Sequence, residues 1–556
     1  MFIKTTRSKG YEYVNLVESY KQGASTKHRV LYNFGRADHI RNNQSFINCV
    51  KRLCEIVELA PVEQRQRPDF SEAQFFNYGH AAYAKLWEKL GIGNCLKSIQ
   101  QSTKIEFSLN NAAFLMALQH LLRPRSKFST FEHQDNYFGL PHLELQHLYR
   151  TLDVLGEHKE RIEAKLFDEN YTKVGRKVDV VFYDVTTFAF ESVIKDELRN
   201  FGFSKDCKFS EVQVVMGLLI DKNGLPVGYE LFSGNTFDGK TMIHALENIK
   251  ARFGISRVII VADRGLNSKG NLHLIKQAGY GYIVSSRIKS MSSKIIEKIL
   301  AEEGFSSLSD GVRYKIMQHV NTFRDEDGAK HHLPENLIIT YSEKRAQKDA
   351  KDRRRLIDKA AKLLEDKALI KQSAKRGGKK YILQEGEQEY SLDMAAIEKD
   401  SRFDGYYGIQ TSETKMLPEE ILDAYHTLWK IEESFRIMKS TLQVRPVFHW
   451  KPSRIHGHFV ICFLAFMLER RLELFLSEQD IDNSPENIRE ALLSMQVAKV
   501  TMNNEELFIK AKTTALATKI WQSLKITAFQ NVSTKEELLA TLTPSKKQRW
   551  GQLSLF

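Results

Sequence analysis

The stretch VDVVFYDVTTFAF, from Val178 to Phe190, is where the sequence changes from helical to β character. A nearly continuous apolar run ends at Asp184, as in a central strand that is buried on both faces. A second buried run, RVIIVAD, ends at Asp263. A carboxylate at the end of a buried strand is costly to desolvate unless it is hydrogen-bonded or binds a metal ion. A turn cap explains either aspartate alone, whereas two in one sheet favour chemistry.

The segments around these aspartates predict the element order βββαβαβ. EVQVVMGLLI and LPVGYELF are separated by DKNG, a tight-turn sequence. Helical patterns cover 239–253 and 267–279, and a further strand covers 280–286. The pattern breaks at about residue 290 and returns with GYYGIQT at 405–411. We therefore expect an α/β fold, a mixed sheet flanked by helices, with an inserted domain.

The helical sequence YHTLWKIEESFRIMK runs from Tyr425 to Lys439 and contains two adjacent glutamates. On a regular helix Tyr425, Glu432 and Lys439 follow one another every seven residues and form a stripe beside the apolar face. The same geometry turns Glu433 toward water. Glu432 is therefore the carboxylate expected to complete a site, and Arg436 and Trp429 share its flank. A boundary salt bridge between Glu432 and Arg436 fits the same spacing.

Two aspartates and a glutamate form a set of hard oxygen ligands. Such ligands select Mg²⁺ or Mn²⁺. Two of these ions about 3.5–4 Å apart can hold the attacking and leaving oxygens of an in-line phosphoryl displacement. His449, His456 and His458 contain only one close H-x-H pair, and we interpret them as part of a basic surface.

The net charge of the chain is +13 and its pI is about 9.2, which fits a polyanionic partner. Much of the excess lies between Glu343 and Lys380, where 15 Lys and Arg face 6 Asp and Glu. Arg353, Arg354 and Arg355 belong to this basic stretch. A solvated charged helix is the alternative, but the imbalance favours contact with phosphates.

The five cysteines form no C-x2-C pair, which fits a reducing compartment. The N-terminus lacks the apolar run of a signal peptide. The longest apolar run, Phe459 to Leu468, is about half the length that spans a bilayer, and we read it as a buried helix that ends near Arg471. We expect a soluble, cytoplasmic protein without membrane contact.

The strand order, the insertion and the Glu-bearing helix together resemble the DDE transposases of bacterial insertion sequences. Those enzymes have a ribonuclease H-like core. One group, which is IS-four-like, carries the helix signature Y-x2-R-x3-E-x6-K, and Tyr425, Glu432 and Lys439 match it here. Leu428 stands where that group usually has Arg. The motifs ADRG at Asp263 and LQVRPVFHWKPSRIHGH after the helix are similar as well.

The resemblance implies a mechanism and site roles. Asp184, Asp263 and Glu432 would hold two Mg²⁺ ions, with Mn²⁺ as an alternative, and act as the catalytic set. The enzyme would bind double-stranded DNA at the ends of its element, cleave it, and join the 3′-hydroxyls to target DNA. Work on two ends implies a homodimer in the DNA complex, in the cytoplasm of a bacterium and close to its nucleoid.

Further residues are candidates for DNA contact. The resemblance assigns Tyr425 and Lys439 to phosphates near the cut. Trp429 fits DNA contact and packing at the helix boundary equally well, and Arg264 fits DNA contact or a structural ion pair. Lys205, in GFSKD, is a further candidate.

The predicted domains follow from these segments. They are a small β-meander at 1–38, a helical DNA-binding or dimerisation region at 39–172, the first part of the core at 173–289, an insertion domain at 290–403, the second part of the core at 404–475 and a helical C-terminal region at 476–556. Within 39–172 we expect a helix from Ser71 to about Gly91. The alternatives are a structure-specific nuclease on the same core, without strand transfer, and a catalytically silent DNA-binding protein derived from a transposase.

Overall fold

The strands and helices below come from a computed structural model. It describes all residues except 24, 60–68, 174, 176–177, 179, 203–209, 237–244, 246, 249–251, 254–257, 263–266, 309–310, 326–327, 366–369, 371–377, 386–388, 445–446, 503–504 and 543–556. Residues 69–72 are described for the backbone alone.

The strands of the described residues form four sheets. They are β1 Phe2–Ser8, β2 Tyr11–Gln22, β3 Ser25–Arg36, β4 Asp69–Asn77, β5 Val180–Ala189, β6 Gln213–Asp221, β7 Pro226–Ser233, β8 Ile259–Ala262, β9 Gly281–Ser285, β10 Ser306–Ser307, β11 Val312–Arg324, β12 Lys330–Ser342, β13 Ile382–Gln384, β14 Tyr390–Leu392, β15 Tyr406–Thr411, β16 Gln496–Met502, β17 Glu505–Lys510 and β18 Val532–Ser533.

The α-helices lie before, within and after the sheet region. They are α1 Ala37–Arg41, α2 Gln44–Ile56, α3 Ala81–Lys89, α4 Ile92–Gln101, α5 Leu109–Leu122, α6 Lys127–Glu132, α7 Leu145–Glu157, α8 Lys159–Phe167, α9 Lys269–Gln277, α10 Ser293–Leu300, α11 Glu343–Leu364, α12 Met394–Ser401, α13 Pro418–His426, α14 Trp429–Arg436, α15 Pro452–Ser477, α16 Pro485–Leu493, α17 Ala515–Ser523 and α18 Lys535–Leu542.

The chain divides into two units. The first comprises Met1–Phe75, Val497–Lys510 and Phe529–Leu538, and it contains the antiparallel sheet β1-β2-β3. The second comprises Phe76–Gln496, Ala511–Ala528 and Leu539–Phe556, and it contains a nine-stranded sheet with the order β10-β11-β12-β15-β9-β8-β5-β6-β7. The candidate site lies entirely in the second unit.

The middle of the nine-stranded sheet is the predicted mixed core. β5, β8 and β9 run parallel, while β6 and β7 add an antiparallel hairpin at one edge. Almost every residue of β5, β6, β8 and β9 is buried, because helices cover both faces of such a sheet. This is the ribonuclease H-like arrangement that the sequence predicted. Most of the helix expected over 239–253 lies outside the described residues.

The insertion extends the same sheet. β15 pairs antiparallel with β9 on one side and with β12 on the other. The return strand predicted at 405–411 is therefore present as β15. β11 and β12 form a long hairpin, and the helix α11 follows it. α11 contains the first part, residues 343–364, of the basic stretch 343–380.

Two expectations about helices are wrong. Residues 69–77 form the strand β4, and the helix expected from Ser71 begins only at Ala81. The C-terminal region is not simply helical, because β16, β17 and β18 form one sheet with β4 in the order β18-β17-β16-β4. More than 400 residues separate β4 from β16, and a pairing over that distance leaves no trace in local periodicity.

The helices α7 and α15 approach each other closely at two glycines. A Cβ atom on Gly457 would lie 1.9 Å from the carbonyl oxygen of Leu152, and one on Gly156 would lie 2.5 Å from that of Ser453. Neither distance is compatible with a side chain, so glycine permits this packing. α15 runs on to Ser477, six residues past the end expected near Arg471. Among the described residues, no helix combines the length and the apolar character that a membrane crossing needs.

Candidate active site

The sequence predicted that Asp184 lies at the end of its strand. In the structure Asp184 lies within β5. The strand continues to Ala189 because β6 pairs with it along its whole length. On the other side the described pairs between β5 and β8 run from Val180 to Phe182. Asp184 is half-buried between buried neighbours, and its Oδ1 accepts a hydrogen bond from the backbone N–H of Val185 at 2.7 Å. Asp184 therefore lies two residues after Phe182, the last residue of β5 in a described parallel pair.

Three predicted site residues lie outside the described residues: Asp263, Arg264 and Lys205. β8 ends at Ala262, the residue before Asp263. The placement of these three side chains is therefore still a prediction.

Glu432 lies on α14, which packs against β5 and β6. Ile431, Ser434 and Phe435 form the buried face of this helix, and Glu432 is exposed. In the described part of the chain the Glu432 carboxylate has no hydrogen-bond or ion-pair partner. The salt bridge to Arg436 that its spacing permitted is not formed, since Arg436 pairs with Glu433 at 3.2 Å.

Lys439 connects the end of this segment to β5. Its Nζ lies 5.7 Å from the centre of the Phe188 ring. Phe188 and Asp184 are four residues apart in one strand, so their side chains project from the same face of the sheet. The segment 429–441 therefore lies on the face of the sheet that carries Asp184.

The helix predicted from Tyr425 to Lys439 is not continuous. α13 ends at His426, and the N–H groups of Leu428, Lys430 and Ile431 each bond to the carbonyl three residues earlier. Such a tightened turn rotates the chain by about 120° per residue and not 100°. A π-helical turn follows at Ile437–Thr441. The apolar positions of the wheel, Ile431, Phe435 and Met438, are nevertheless buried beyond the break.

The expectation for Glu433 is wrong, because a buried arginine of α15 reaches it. Its side chain is only 21% exposed, and its Oε2 lies 3.3 Å from Nη1 of Arg470, a buried residue of α15. Glu433 does not face water as predicted, whereas Glu432 does. Leu428, at the start of α14, is buried as the wheel suggested.

Tyr425 and Lys439 contact different strands. The Tyr425 hydroxyl lies 2.7 Å from that of Tyr407 on β15, and Tyr407 donates to Oγ of Ser285 on β9 at 2.8 Å. Lys439 contacts β5, which is three strands away from β15. The stripe expected from seven-residue spacing is thus spread across the sheet.

The other candidates for DNA contact differ in exposure. Trp429 is 54% exposed, so packing at the helix boundary does not account for it. Arg436 is exposed beside Glu433. The remaining three are on α11: Arg353 pairs with Asp404 and is mostly buried, Arg354 is exposed, and Arg355 is exposed with Asp352 at 3.6 Å.

An aromatic and basic group near the end of β5 was missed. Trp450 is 60% exposed, and the guanidinium carbon of Arg199 lies 5.6 Å from its ring and 5.8 Å from that of Phe190. Phe190 follows β5 directly. The sequence FHW at 448–450 carried the signal, since neighbouring aromatics outside a regular apolar pattern are often exposed.

Buried polar groups also fix the chain after Lys439. His120 Nδ1 is 2.8 Å from the carbonyl oxygen of Leu442, and His458 Nε2 is 3.0 Å from that of Val444. The pKa of His120 is lowered to about 3, first by burial and then by Lys127. His458 therefore belongs to the core and not to the basic surface predicted for it.

Cys462 joins the two histidines in a cluster with metal-ligand chemistry. Its Sγ lies 3.6 Å from His458 Nε2 and 3.9 Å from His120 Nε2. Lys127 Nζ lies 3.3 Å from His120 Nε2, so a protein cation already occupies this position. Protein groups meet most hydrogen-bonding needs of the cluster, and we interpret it as structural.

A family model described as a transposase DDE domain matches residues 177–468, more than half of the chain. The chain belongs to the DDE transposases. A second model, the IS1634 family transposase N-terminal domain, matches residues 3–60. Together the two matches identify an insertion-sequence transposase. Membership of the group with the Y-x2-R-x3-E-x6-K signature stays a prediction.

Two solved structures resemble this transposase distantly. The piggyBac transposase synaptic complex with hairpin DNA is 10% identical, with 78% of this chain and 83% of that chain covered and a TM-score of 0.36. The Mos1 transposase paired-end complex with the left transposon end is 13% identical, with 31% and 57% covered and a TM-score of 0.14. Neither likeness is close enough to transfer a property. The comparison with curated proteins gave no match.

Proposed function

We propose that this transposase binds the terminal inverted repeats of its own element, hydrolyses the DNA at each end and joins the freed 3′-hydroxyls to target DNA. The observation that supports this most is the packing of α14 against β5. It brings the helix that carries the exposed Glu432 onto the strand that carries Asp184. These two residues come from segments almost 250 positions apart in the sequence.

The register of the sheet supports the third carboxylate. In the parallel pair β5–β8, Val180 pairs with Ile259 and Phe182 with Val261, an offset of 79 residues. Asp184 and Asp263 are separated by the same 79 positions. Paired residues of parallel strands project to the same face. If the register continued by two residues, the two carboxylates would stand side by side.

The donor set fits hard divalent cations. Asp184 and Glu432 offer carboxylate oxygens at a half-buried and an exposed position, and Asp263 would add a third group. We propose that these residues hold two Mg²⁺ ions, which Mn²⁺ can replace. When bound, the ions supply a lowered pKa for the attacking hydroxyl and charge stabilisation for the leaving oxygen.

The proposed reaction has two balanced steps. In hydrolysis a water oxygen bonds to phosphorus, the P–O3′ bond breaks, and the proton lost by water reaches the leaving 3′ oxygen through solvent. In strand transfer the freed 3′-hydroxyl attacks a target phosphodiester, whose own P–O3′ bond breaks, and the proton of the attacking hydroxyl reaches the leaving 3′ oxygen of the target through solvent. The number of phosphodiester bonds is unchanged in the second step, so no energy-rich co-substrate is required.

Residues around the carboxylates would position the DNA. Lys439 and Tyr425 would contact phosphates near the cut, the latter from its hydrogen bond with Tyr407. The duplex farther away would be contacted by Trp429, Arg436, Arg264, Lys205 and the arginines at 353–355. Of the three arginines at 353–355, the exposed Arg354 is the best placed. Arg353 would have to leave Asp404 first.

The assembly and its location follow from the reaction. Two DNA ends require two active sites, so we propose a homodimer on DNA, with 39–172 as the region for DNA binding or dimerisation. The proposed place of action is the bacterial nucleoid in the cytoplasm.

The test uses purified full-length protein and DNA from the flanks of its own reading frame. Asp184→Asn and Glu432→Gln should abolish Mg²⁺-dependent cleavage and strand transfer while gel-shift binding to the DNA ends persists. Asp423→Asn is the matched control, because Asp423 is an exposed acid on the neighbouring helix α13. Full cleavage by Glu432→Gln would overturn the site assignment. Cleavage without joining would favour a nuclease.

A further inference from the structure

Glu433, the neighbour of the proposed metal ligand, is held by a buried cation. Arg470 is 8% exposed, and its Nη1 lies 3.3 Å from Glu433 Oε2 and 2.7 Å from Glu473 Oε2. Desolvating such a group costs about as much as the ion pairs return, so the net gain in folding stability is small. What a buried, directional ion pair does fix is geometry. Arg470 therefore restrains the side of α14 next to Glu432.

The same arginine rests on the turn between β6 and β7. Gly224, with φ +84°, lies so close that a Cβ atom there would be 2.5 Å from Arg470 Nη2. On α14 itself, Lys430 Nζ donates to the carbonyl oxygen of Lys222 in this turn at 3.0 Å. The contact of Lys430 precedes Glu432 by two residues, and the contact of Glu433 with Arg470 follows it by one. Both lead to a single turn of the chain.

That turn is held by hydrogen bonds and is continuous with β6, the strand that pairs with β5. Asp221 Oδ1 accepts from the N–H groups of Asn223 and Leu225 at 2.8 and 2.9 Å, and its Oδ2 accepts from the Tyr171 hydroxyl at 3.2 Å. Asp221 ends β6, and Leu218 of β6 pairs with Asp184. The Lys430 hydrogen bond, the Glu433–Arg470 ion pair and the close approach of Arg470 to Gly224 therefore connect α14 on both sides of Glu432 to the strand that pairs with β5.

We infer that Glu433, through Arg470 and the turn 221–225, is a positioning residue that sets where the Glu432 carboxylate stands relative to Asp184. The inference rests on the proposed function for the role of Glu432, but the restraint itself does not. Groups bonded directly to metal ligands typically contribute 10–100-fold to metal affinity, and a restraint that acts through the helix backbone should lie at the lower end of that range. The exposed partner, Arg436, contacts Glu433 from the solvent side and should contribute little.

Hydrogen exchange tests the restraint without any catalytic activity. Glu433→Gln keeps the shape of the side chain and removes its charge, so the fold should survive. Amide exchange across 429–436 should accelerate about 10-fold in this variant, while exchange in β5 stays unchanged. Arg470 keeps Glu473 as a partner, so the thermal midpoint should fall only slightly. Arg470→Lys, which keeps the charge, should give a smaller acceleration, and Arg436→Gln should match the wild type. Unchanged exchange in Glu433→Gln would overturn the inference.

Metal titration separates this inference from the proposed function. Mn²⁺ binding, followed by electron paramagnetic resonance, should weaken about 10-fold in Glu433→Gln and be lost in Glu432→Gln. Loss in Glu432→Gln together with unchanged affinity in Glu433→Gln would reject the positioning role alone. Unchanged affinity in Glu432→Gln would reject the site assignment, and the exchange data would still decide whether Glu433 restrains the helix.

Discussion

A buried acid in α15 provides a sharp test of the packing around the site. Glu469 is fully buried, and its Oε2 accepts a hydrogen bond from the Tyr83 hydroxyl at 2.6 Å. Burial, reinforced by the neighbouring Glu473 carboxylate, raises the pKa of Glu469 from 4.5 to about 8. At neutral pH the folded protein therefore holds a proton here that the unfolded chain has lost.

The sign of the pH dependence follows from this difference. Between pH 4.5 and about 8 the folded state binds more protons than the unfolded state, so stability falls as the pH rises. Each pH unit in this window costs about 1.4 kcal/mol. From pH 5.5 to 8 the loss attributable to Glu469 is thus about 3 kcal/mol. Glu469→Gln mimics the protonated acid and should remove this loss.

The assay is urea unfolding followed by circular dichroism at pH 5.5 and pH 8. The difference in unfolding free energy between Glu469→Gln and the wild type should grow by about 3 kcal/mol in favour of the variant as the pH rises. Glu473, whose pKa is raised to about 7, titrates in both proteins and largely cancels in the difference. Glu478→Gln, an exposed change just after the same helix, should follow the wild type. Parallel pH profiles for Glu469→Gln and wild type would refute the reasoning.

Three further predictions concern single side chains. Gly457→Ala should lower the free energy of unfolding by roughly 3 kcal/mol in urea titrations, because a carbonyl oxygen of α7 occupies the space that the methyl group needs. Gly270→Ala in α9 is the control and should be neutral or stabilising, because no atom lies within 4 Å of the added methyl group. Asn77→Ala should cost about 2–4 kcal/mol in the same assay, because buried backbone groups between α16 and β16 lose their partner. Iodoacetamide should label the exposed Cys49 in the native protein and reach Cys462 only after unfolding, since burial raises the pKa of the Cys462 thiol to about 12. Peptide mass mapping identifies the labelled cysteine.

The core of the fold was predictable because its signals are local. Apolar runs of strand length surround Asp184 and precede Asp263, and the DKNG turn fixes the hairpin β6–β7. The sheet order in the structure follows from those elements and from the preference for short connections. The four-stranded sheet was not predictable, since β4 pairs with a strand more than 400 residues later in the sequence.

The glutamate pair shows a different limit. The wheel assumed a regular helix, and the sequence gives no direct sign of the tightened turn at Thr427 or of the π-helical turn after Arg436. The apolar stripe that the wheel predicted, from Leu428 to Leu442, is nevertheless buried. The environment of Glu433 was missed for another reason, which is the buried Arg470 of α15 beside it. A usable signal did exist in Glu469, Arg470 and Arg471, three charges inside an apolar helix that require partners.

The antiparallel pair of β9 and β15 has a consequence for the insertion. The chain leaves the core after Ser285 and returns at Tyr406, and Ile409 pairs with Ser285. Departure and return therefore occur on adjacent strands about 5 Å apart. An insertion whose two ends lie on paired strands can lengthen, shorten or be exchanged without moving the helix that carries Glu432. The arginines of α11 that we propose for DNA contact can thus diversify while the strand of Asp184 and the helix of Glu432 stay in place.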